Sequence, residues 1–409
     1  MKKKIELLAP AGSPEKMKYA FAYGADAVYM GIPDFSLRVR INKFTLDDVR
    51  LAIAEAHKLK KKIYVTVNIY AHNQHLEKLP AYLKKLNEWK PDGLLVSDPG
   101  ILQMVKKYAP NLTIHLSTQA NATNWQAVKF WYEQGVKRVV LGREVTLEEI
   151  KEIHKHVPKV ELEYFVHGAM CMSYSGRCML SAWLTGRSAN LGDCVQPCRW
   201  KYHVNNVQVE LEDENHQGMK IPVEEDKNGT YIFNSKDLCL IEYLKELIEA
   251  GVVSLKIEGR AKSPAYLATV VKAYRLALDS SLEKKELKKI KKKYLDSLMT
   301  RGYTTGFLFG KETVEQNTEF SHILGEEKFV GEVVNCEDNK VCITPHNALR
   351  VGDKVRIMQP KNLDLVLTIK KLYNCKNKKE VESAHGGTGE NYYFISQKPI
   401  ESFSILFKK

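Results

Sequence analysis

Short runs of apolar, often β-branched residues alternate with longer amphipathic stretches over most of this chain. The runs fall at residues 5–9, 27–31, 62–68, 93–97, 113–117, 138–142, 161–166 and 254–258. Their length and composition predict strands. Between them, residues 45–60, 76–89, 121–134 and 147–156 carry the three-to-four-residue apolar spacing of amphipathic helices. Thr45 and Thr146 stand where an N-cap belongs, and Gly24, Gly135 and Gly251 stand at helix ends before the next strand. Regular alternation of strand and helix predicts a parallel sheet. Eight strands within residues 5–258 fit a closed (β/α)8 TIM-type barrel better than an open sheet. A doubly wound open sheet is the alternative, but no Gly-x-Gly-x-x-Gly turn follows a strand to support it.

One connection breaks the rhythm. The seventh strand ends near Val166 and its helix is expected to begin only at about Leu238, roughly 70 residues later, where such a loop usually has a few. This insertion, residues 167–237, contains a cluster of cysteines and then hairpin-like runs at 202–211, 218–223 and 230–233. Loops that follow barrel strands lie over the C-terminal mouth, where active sites are built. After the eighth strand come a helix at 264–278 and a segment with seven lysines and two glutamates between Leu282 and Lys293. That segment reads as a solvated helix face. From about Phe329 short β-runs and turns predict a small β-barrel domain. The expected division is therefore 1–320 for the barrel with its insertion and 321–409 for the small domain.

Composition narrows the class. Of the 409 residues, 44% are hydrophobic and 27% charged, which excludes a disordered chain. No run approaches the roughly 18 apolar residues of a membrane span, and the basic N-terminus is not followed by a signal-like apolar stretch. A cytoplasmic location is expected. The net charge is +13, of which only +3 falls from residue 321 onward, where 14 basic residues face 11 acidic ones. Such an excess suits a phosphate-rich partner such as RNA, or simply a solvated basic surface.

Four of the eight cysteines lie within 28 residues, as Cys171-x6-Cys178-x15-Cys194-x3-Cys198. In a reducing compartment, clustered cysteines bind metal or do chemistry more often than they form disulfides. Four thiolates are the usual shell of a 4Fe–4S cluster. Zinc is the alternative, although only the second pair has the Cys-x2–4-Cys spacing of a zinc knuckle. Arg177, Arg187 and Arg199 lie close in sequence and could offset the cluster's charge or orient an anion. A nucleophilic cysteine with His167 as base is a third possibility, but nothing distinguishes one of the four thiols from the others. Cys239, Cys336, Cys342 and Cys375 are scattered and read as incidental thiols.

Around these cysteines the sequence resembles the signature of the collagenase-like peptidase family U32. The resemblance is carried by Glu163-Tyr-Phe165-Val-His-Gly168-Ala169-Met170-Cys171 and Gly176-Arg-Cys178-Met-Leu180-Ser181. It continues through Leu184-Thr-Gly-Arg187, Cys194-Val-Gln-Pro-Cys198-Arg199-Trp200, Asn234-Ser-Lys-Asp-Leu238 and Ser254-Leu-Lys-Ile-Glu258-Gly259-Arg260. Upstream, Glu6-Leu-Leu-Ala-Pro-Ala-Gly12 and Gly24-Ala-Asp-Ala-Val-Tyr-Met-Gly31 also fit. The family name records a protease claim, yet the resemblance implies an RNA base hydroxylase. The branch nearest in layout converts the wobble uridine of tRNA to 5-hydroxyuridine with prephenate as co-substrate. A sister branch acts on a ribosomal RNA cytidine. The resemblance implies that Cys171, Cys178, Cys194 and Cys198 ligate a 4Fe–4S cluster.

Polar residues at strand ends would line the barrel mouth. These include Asn68, Ser97-Asp98, His115 to Gln119, Arg143-Glu144 and Glu258-Gly-Arg260. Prephenate is a dicarboxylate, so bidentate arginine contacts are expected. Glu163, His167, Arg143 and Arg260 are the expected catalytic side chains. Arg177, Arg187, Arg199, Lys256 and Glu258 are expected to hold the cofactor or co-substrate. Glu163, Phe165 and His167 share one face of a regular strand, and a buried Glu163 would need a partner such as Lys256 or Arg260. The expected partners are tRNA at its anticodon region, prephenate and a paralogous subunit, with no membrane. The competing readings are a peptidase and a non-catalytic, metal-stapled RNA-binding protein.

Overall fold

The computed structural model describes residues 4–36, 43–170, 180–185, 235–310 and 327–408, with a few short pieces between them. Eight parallel strands follow one another: β1 (Glu6–Pro10), β2 (Ala27–Gly31), β3 (Lys62–Val67), β4 (Gly93–Val96), β5 (Ile114–Leu116), β6 (Arg138–Val140), β7 (Glu161–Ala169) and β8 (Val252–Ile257). Each pairs with the next, and β8 pairs with both β7 and β1. The sheet is therefore a closed (β/α)8 barrel. Its strands are buried along almost their whole length, because helices cover one face and side chains fill the other.

Helix starts follow local capping chemistry. Thr45 and Asp48 form a capping box for Leu46–Lys58, as Thr146 and Glu149 do for Leu147–His156. Two helices begin later than periodicity suggested. The helix expected from Asn121 spans Trp125–Glu133, because Asn121 adopts a left-handed conformation (φ 50°) that ends the short turn Thr118–Ala120. Asn124 then caps the helix by accepting from the Ala127 N–H. The helix expected from Leu76 spans Leu79–Trp89, with a separate turn at Asn73–Leu76.

The end of β7 is the feature that matters for function. This strand has nine residues; its last three pair with an antiparallel strand, Asp237–Cys239, and while His167 still pairs with Ile257 of β8, Gly168 and Ala169 run past it. Ala169 faces Asp237, Gly168 faces Leu238 and His167 faces Cys239. A helix was expected to begin at about Leu238. That stretch is instead a strand, because it completes the ladder of the β7 overhang, and the helix is Leu244–Glu249. A further strand, Tyr303–Thr304, lies parallel to Asp237–Cys239, and Arg301 donates to the buried Asp237 carboxylate at 2.5 Å. The insertion thus leaves and re-enters the fold side by side at the barrel's C-terminal mouth. Cys171, Cys178, Cys194, Cys198, Arg177 and Arg199 lie outside the described residues. Of the expected hairpins, Glu210–Glu212 pairs with Lys220–Pro222, and Glu225–Asp226 pairs with Gly229–Thr230.

A second compact unit takes residues 18–25, 262–298 and 324–409. Its centre is an eight-stranded antiparallel half-barrel, in which Lys328–Glu337 sits between Ile405–Lys408 and Lys340–Pro345. Register shifts at Phe329/Gly331 and Val333/Asn335 bend that long strand around an apolar core. The helix Pro264–Asp279 belongs to this unit. Its Lys272 amine donates to the Asp364 carboxylate at 2.8 Å and to the Gln359 carbonyl. Among the described residues no helix is long and apolar enough to cross a membrane.

The β7 overhang depends on one glycine. Gly168 has φ +111°, and a Cβ there would lie 2.5 Å from the Glu258 carbonyl oxygen and 2.9 Å from its Cβ. Gly168→Ala is therefore expected to destabilise the protein by about 3 kcal/mol or more, as backbone strain adds to a backbone clash. Gly352→Ala has similar strain (φ +91°) but meets nothing within 4 Å, and should cost only about 1 kcal/mol. Urea unfolding of the two variants checks the difference.

Candidate functional site at the barrel mouth

The barrel interior is charged. Glu163 on β7 is fully buried and accepts from the Lys256 amine at 2.6 Å, the Ser254 hydroxyl at 3.2 Å and the Arg138 guanidinium at 3.3 Å. Arg138 opens β6 and also donates to Glu6 at 2.5 Å and to Glu161 at 2.8 Å. Glu6 in turn accepts from the hydroxyls of Tyr64 (2.7 Å) and Ser254 (3.0 Å), and Lys62 stands 3.4 Å away. Three carboxylates thus meet three cations, so the cluster needs no outside counterion. Burial opposes ionisation of Glu6, but Arg138, Tyr64 and Lys62 outweigh it and hold its carboxyl below the usual 4.5. Burial lowers the Lys256 amine, with Glu163 opposing and Arg260 and Arg138 adding to the shift.

His115 lies against Tyr64, ring centroids 4.8 Å apart. Burial, and then the repulsion of Arg138 and Lys256, push its imidazole well below 6.5, so it stays neutral. Gly93 makes room for it, since a Cβ there would sit 3.1 Å from the ring. Glu6, Arg138 and Glu161 open their strands at the N-terminal end of the barrel, the end associated with stability rather than chemistry.

Towards the mouth the charges change character. Cations and aromatic rings alternate in a row. The Arg143 guanidinium lies over the Phe165 ring at 3.8 Å. Lys256 stands 5.4 Å from Phe165 and 4.4 Å from Tyr29, and Arg260 stands 5.7 Å from Tyr29. The Tyr29 hydroxyl is fixed by donating to the Ile257 carbonyl. Arg143 is only 8% exposed, yet it has no carboxylate partner among the described residues. Arg260 is held through its backbone, because its carbonyl accepts from Lys16 at 3.0 Å and presses against Gly12. A Cβ at Gly12 would come within 2.4 Å of that oxygen, which explains the glycine that ends the Glu6-to-Gly12 motif.

The remaining expected residues fall around this row. His167 is buried, 5.7 Å from the Tyr303 ring, and its carbonyl accepts from the Glu258 N–H. Glu258 is buried beside the β7 overhang. Asn68 donates to Ser117 and Gln119 at 3.0 Å each, forming a polar cluster at the ends of β3 and β5. Asp98 caps the helix Pro99–Tyr108 by accepting from the Ile101 N–H. Arg187 is half-buried, and its N–H donates to the Thr185 hydroxyl. Sequence reasoning placed Phe165 on one strand face with Glu163 and His167, but it missed Arg138, Tyr64 and Tyr29 as members of these clusters.

The sequence profile of peptidase family U32 matches residues 12–318, and that of the family's C-terminal domain matches residues 326–406. The chain belongs to peptidase family U32. It is 40% identical to the tRNA hydroxylation protein P of Haemophilus influenzae, covering 99% of this chain and 96% of that one. It is 42% identical to the protein of the same name from Escherichia coli, covering 91% and 90%. A 23S rRNA 5-hydroxycytidine synthase of Escherichia coli is 36% identical over 69% of this chain and 40% of its own length.

The ion cluster predicts how stability responds to acid. Because Glu6 is held below 4.5 in the folded chain, its ionised form favours folding above that pH. The contribution disappears as pH falls through the folded value. The urea midpoint should therefore fall as pH is lowered below about 4.5, and the fall should be smaller in Glu6→Gln.

Proposed function

We propose that this member of peptidase family U32 hydroxylates tRNA, converting the wobble uridine to 5-hydroxyuridine. The observation that carries this reading is the pairing of β7 with Asp237–Cys239, which ties both ends of the cysteine segment to the mouth beside Arg143, Lys256 and Arg260. Near-full-length similarity to proteins named for tRNA hydroxylation supports it.

Hydroxylating a base carbon is an oxidation, and protein side chains do not supply one. Cys171, Cys178, Cys194 and Cys198 form a soft four-thiolate set suited to a 4Fe–4S cluster, which would supply redox capacity there. The row of three cations fits a small dicarboxylate, and prephenate is the proposed co-substrate. Arg143 offers a planar fork already stacked on Phe165, so little side-chain freedom is lost when it grips a carboxylate. Arg260 would take the second carboxylate. Lys256 stands between them with its charge matched by Glu163, which keeps its amine in place. His167 and Glu258 flank the same opening, and Arg177, Arg187 and Arg199 travel with the cysteines. The target base must leave its stack to enter such a mouth, and an anticodon loop presents bases with little unstacking cost. The overall charge of +13 suits the RNA backbone.

Two measurements test the proposal. Mass spectrometry of tRNA nucleosides from a strain lacking the gene should show no 5-hydroxyuridine, restored by the wild type but not by Cys171→Ala. Wild-type protein purified without oxygen should hold about four irons and as many sulfides per chain, and Cys171→Ala should lose them. Unchanged tRNA with loss of a hydroxylated rRNA cytidine would move the substrate to that of the ribosomal relative. Zinc in place of iron would overturn the cluster.

A further inference from the structure

The C-terminal half-barrel carries a second arrangement of thiols that the proposed chemistry does not use. The sulfurs of Cys342 and Cys375 lie 3.2 Å apart, and both residues are half-buried. Neither sits on a loose loop. Cys342 is on the strand Lys340–Pro345, opposite Tyr393 of Tyr392–Ile395. Cys375 follows the strand Leu372–Asn374, whose Tyr373 pairs with Tyr393 from the other side. The Cys375 N–H donates to the Asn391 carbonyl at 2.9 Å, and Asn391 also accepts from Thr344 at 2.8 Å. The Asn374 side chain fixes the turn beyond by accepting from the N–H groups of Lys376 and Asn377. The two thiols therefore converge across an intervening strand because three paired strands and a capped turn direct them there. A disulfide needs an S–S distance of about 2.05 Å and Cα atoms within about 7 Å of each other, so closure across the intervening strand draws the backbone at the Cys375 turn inward as well as moving the sulfurs.

We propose that Cys342 and Cys375 are a dithiol site that closes to a disulfide by exchange with low-molecular-weight disulfides of the glutathione class. One protein thiol, as its thiolate, attacks a sulfur of the small disulfide and releases one small thiol. The second protein thiol loses its proton and displaces the other small thiol. The protein gives up two hydrogens with two electrons, and the small disulfide leaves as two thiols. Burial, then the adjacent Cys342 thiol, push Cys375 up to about 12. Few thiolates therefore form at this pair at neutral pH, so exchange is slow. Once closed, the bond joins residues 33 apart in sequence and staples two strands across Tyr392–Ile395.

The test uses the full chain, prepared reduced and then equilibrated with excess oxidised glutathione. Remaining thiols are blocked with N-ethylmaleimide, and the protein is digested and mapped by mass spectrometry. A peptide joining Cys342 to Cys375 is expected, removed by dithiothreitol, absent from Cys342→Ser and Cys375→Ser, and retained in Cys336→Ser. The melting temperature of the oxidised wild type should exceed that of the reduced form by about 5 °C, with no such shift in Cys342→Ser. Full blocking of both thiols after equilibration, or a separate glutathione on each, would overturn the proposal. The wild-type map decides the matter even if a serine variant folds poorly.

Discussion

Burying Glu163 inside the barrel is the constraint around which the rest of the barrel unit is organised. An isolated carboxylate there would cost many kcal/mol, so the fold must bring cations to it. Lys256 and Arg138 do so from β8 and β6, and Ser254 completes the shell. Arg138 then draws in Glu6 from β1 and Glu161 from β7, and Glu6 draws in Tyr64 from β3. One buried charge thereby fixes the register of five strands through directional contacts, which apolar packing alone does less sharply.

The same cluster sets the geometry of the mouth. The Lys256 amine is bound to Glu163, yet it also faces the rings of Tyr29 and Phe165. Those rings carry Arg260 and Arg143. A stabilising core and an anion-attracting surface thus share one side chain. The two close backbone approaches finish the arrangement. Gly12 lets the Arg260 carbonyl come near, and Gly168 lets β7 pass the end of β8 towards the cysteine segment.

Much of this was legible from sequence, for physical reasons. Strand and helix alternation showed because each element repeats its burial at its own period. The need of Glu163 for Lys256 followed from the cost of an unpaired buried charge. Cys171, Cys178, Cys194 and Cys198 lie outside the described residues, and their spacing alone does not choose between iron and zinc, because both take four thiolates. The late start at Trp125 was hidden because Asn121 can cap a helix or end a turn, and only its left-handed backbone decides. The strand at Asp237–Cys239 was hidden because its partner lies some 70 residues earlier in the chain. Arg138 was missed because a charged residue opening an apolar run looks solvent-facing. The place of Pro264–Asp279 beside the half-barrel rests on Lys272 and Asp364, which are 92 residues apart and carry no local signal.

If the cation row at the mouth serves hydroxylation and not merely the fold, removing one of its charges must cost the modification while sparing the protein. The most direct measurement is 5-hydroxyuridine in tRNA from cells whose only copy is Arg143→Gln, with the iron content and melting temperature of the purified variant measured alongside. Arg143 has no ion pair to lose among the described residues. Wild-type iron is therefore expected, with stability lowered by only about 1 kcal/mol for the lost stacking on Phe165, and with hydroxylation reduced at least tenfold, the loss of about 1.4 kcal/mol of binding or transition-state energy. Wild-type levels of 5-hydroxyuridine in that strain would contradict a role for the row in the reaction.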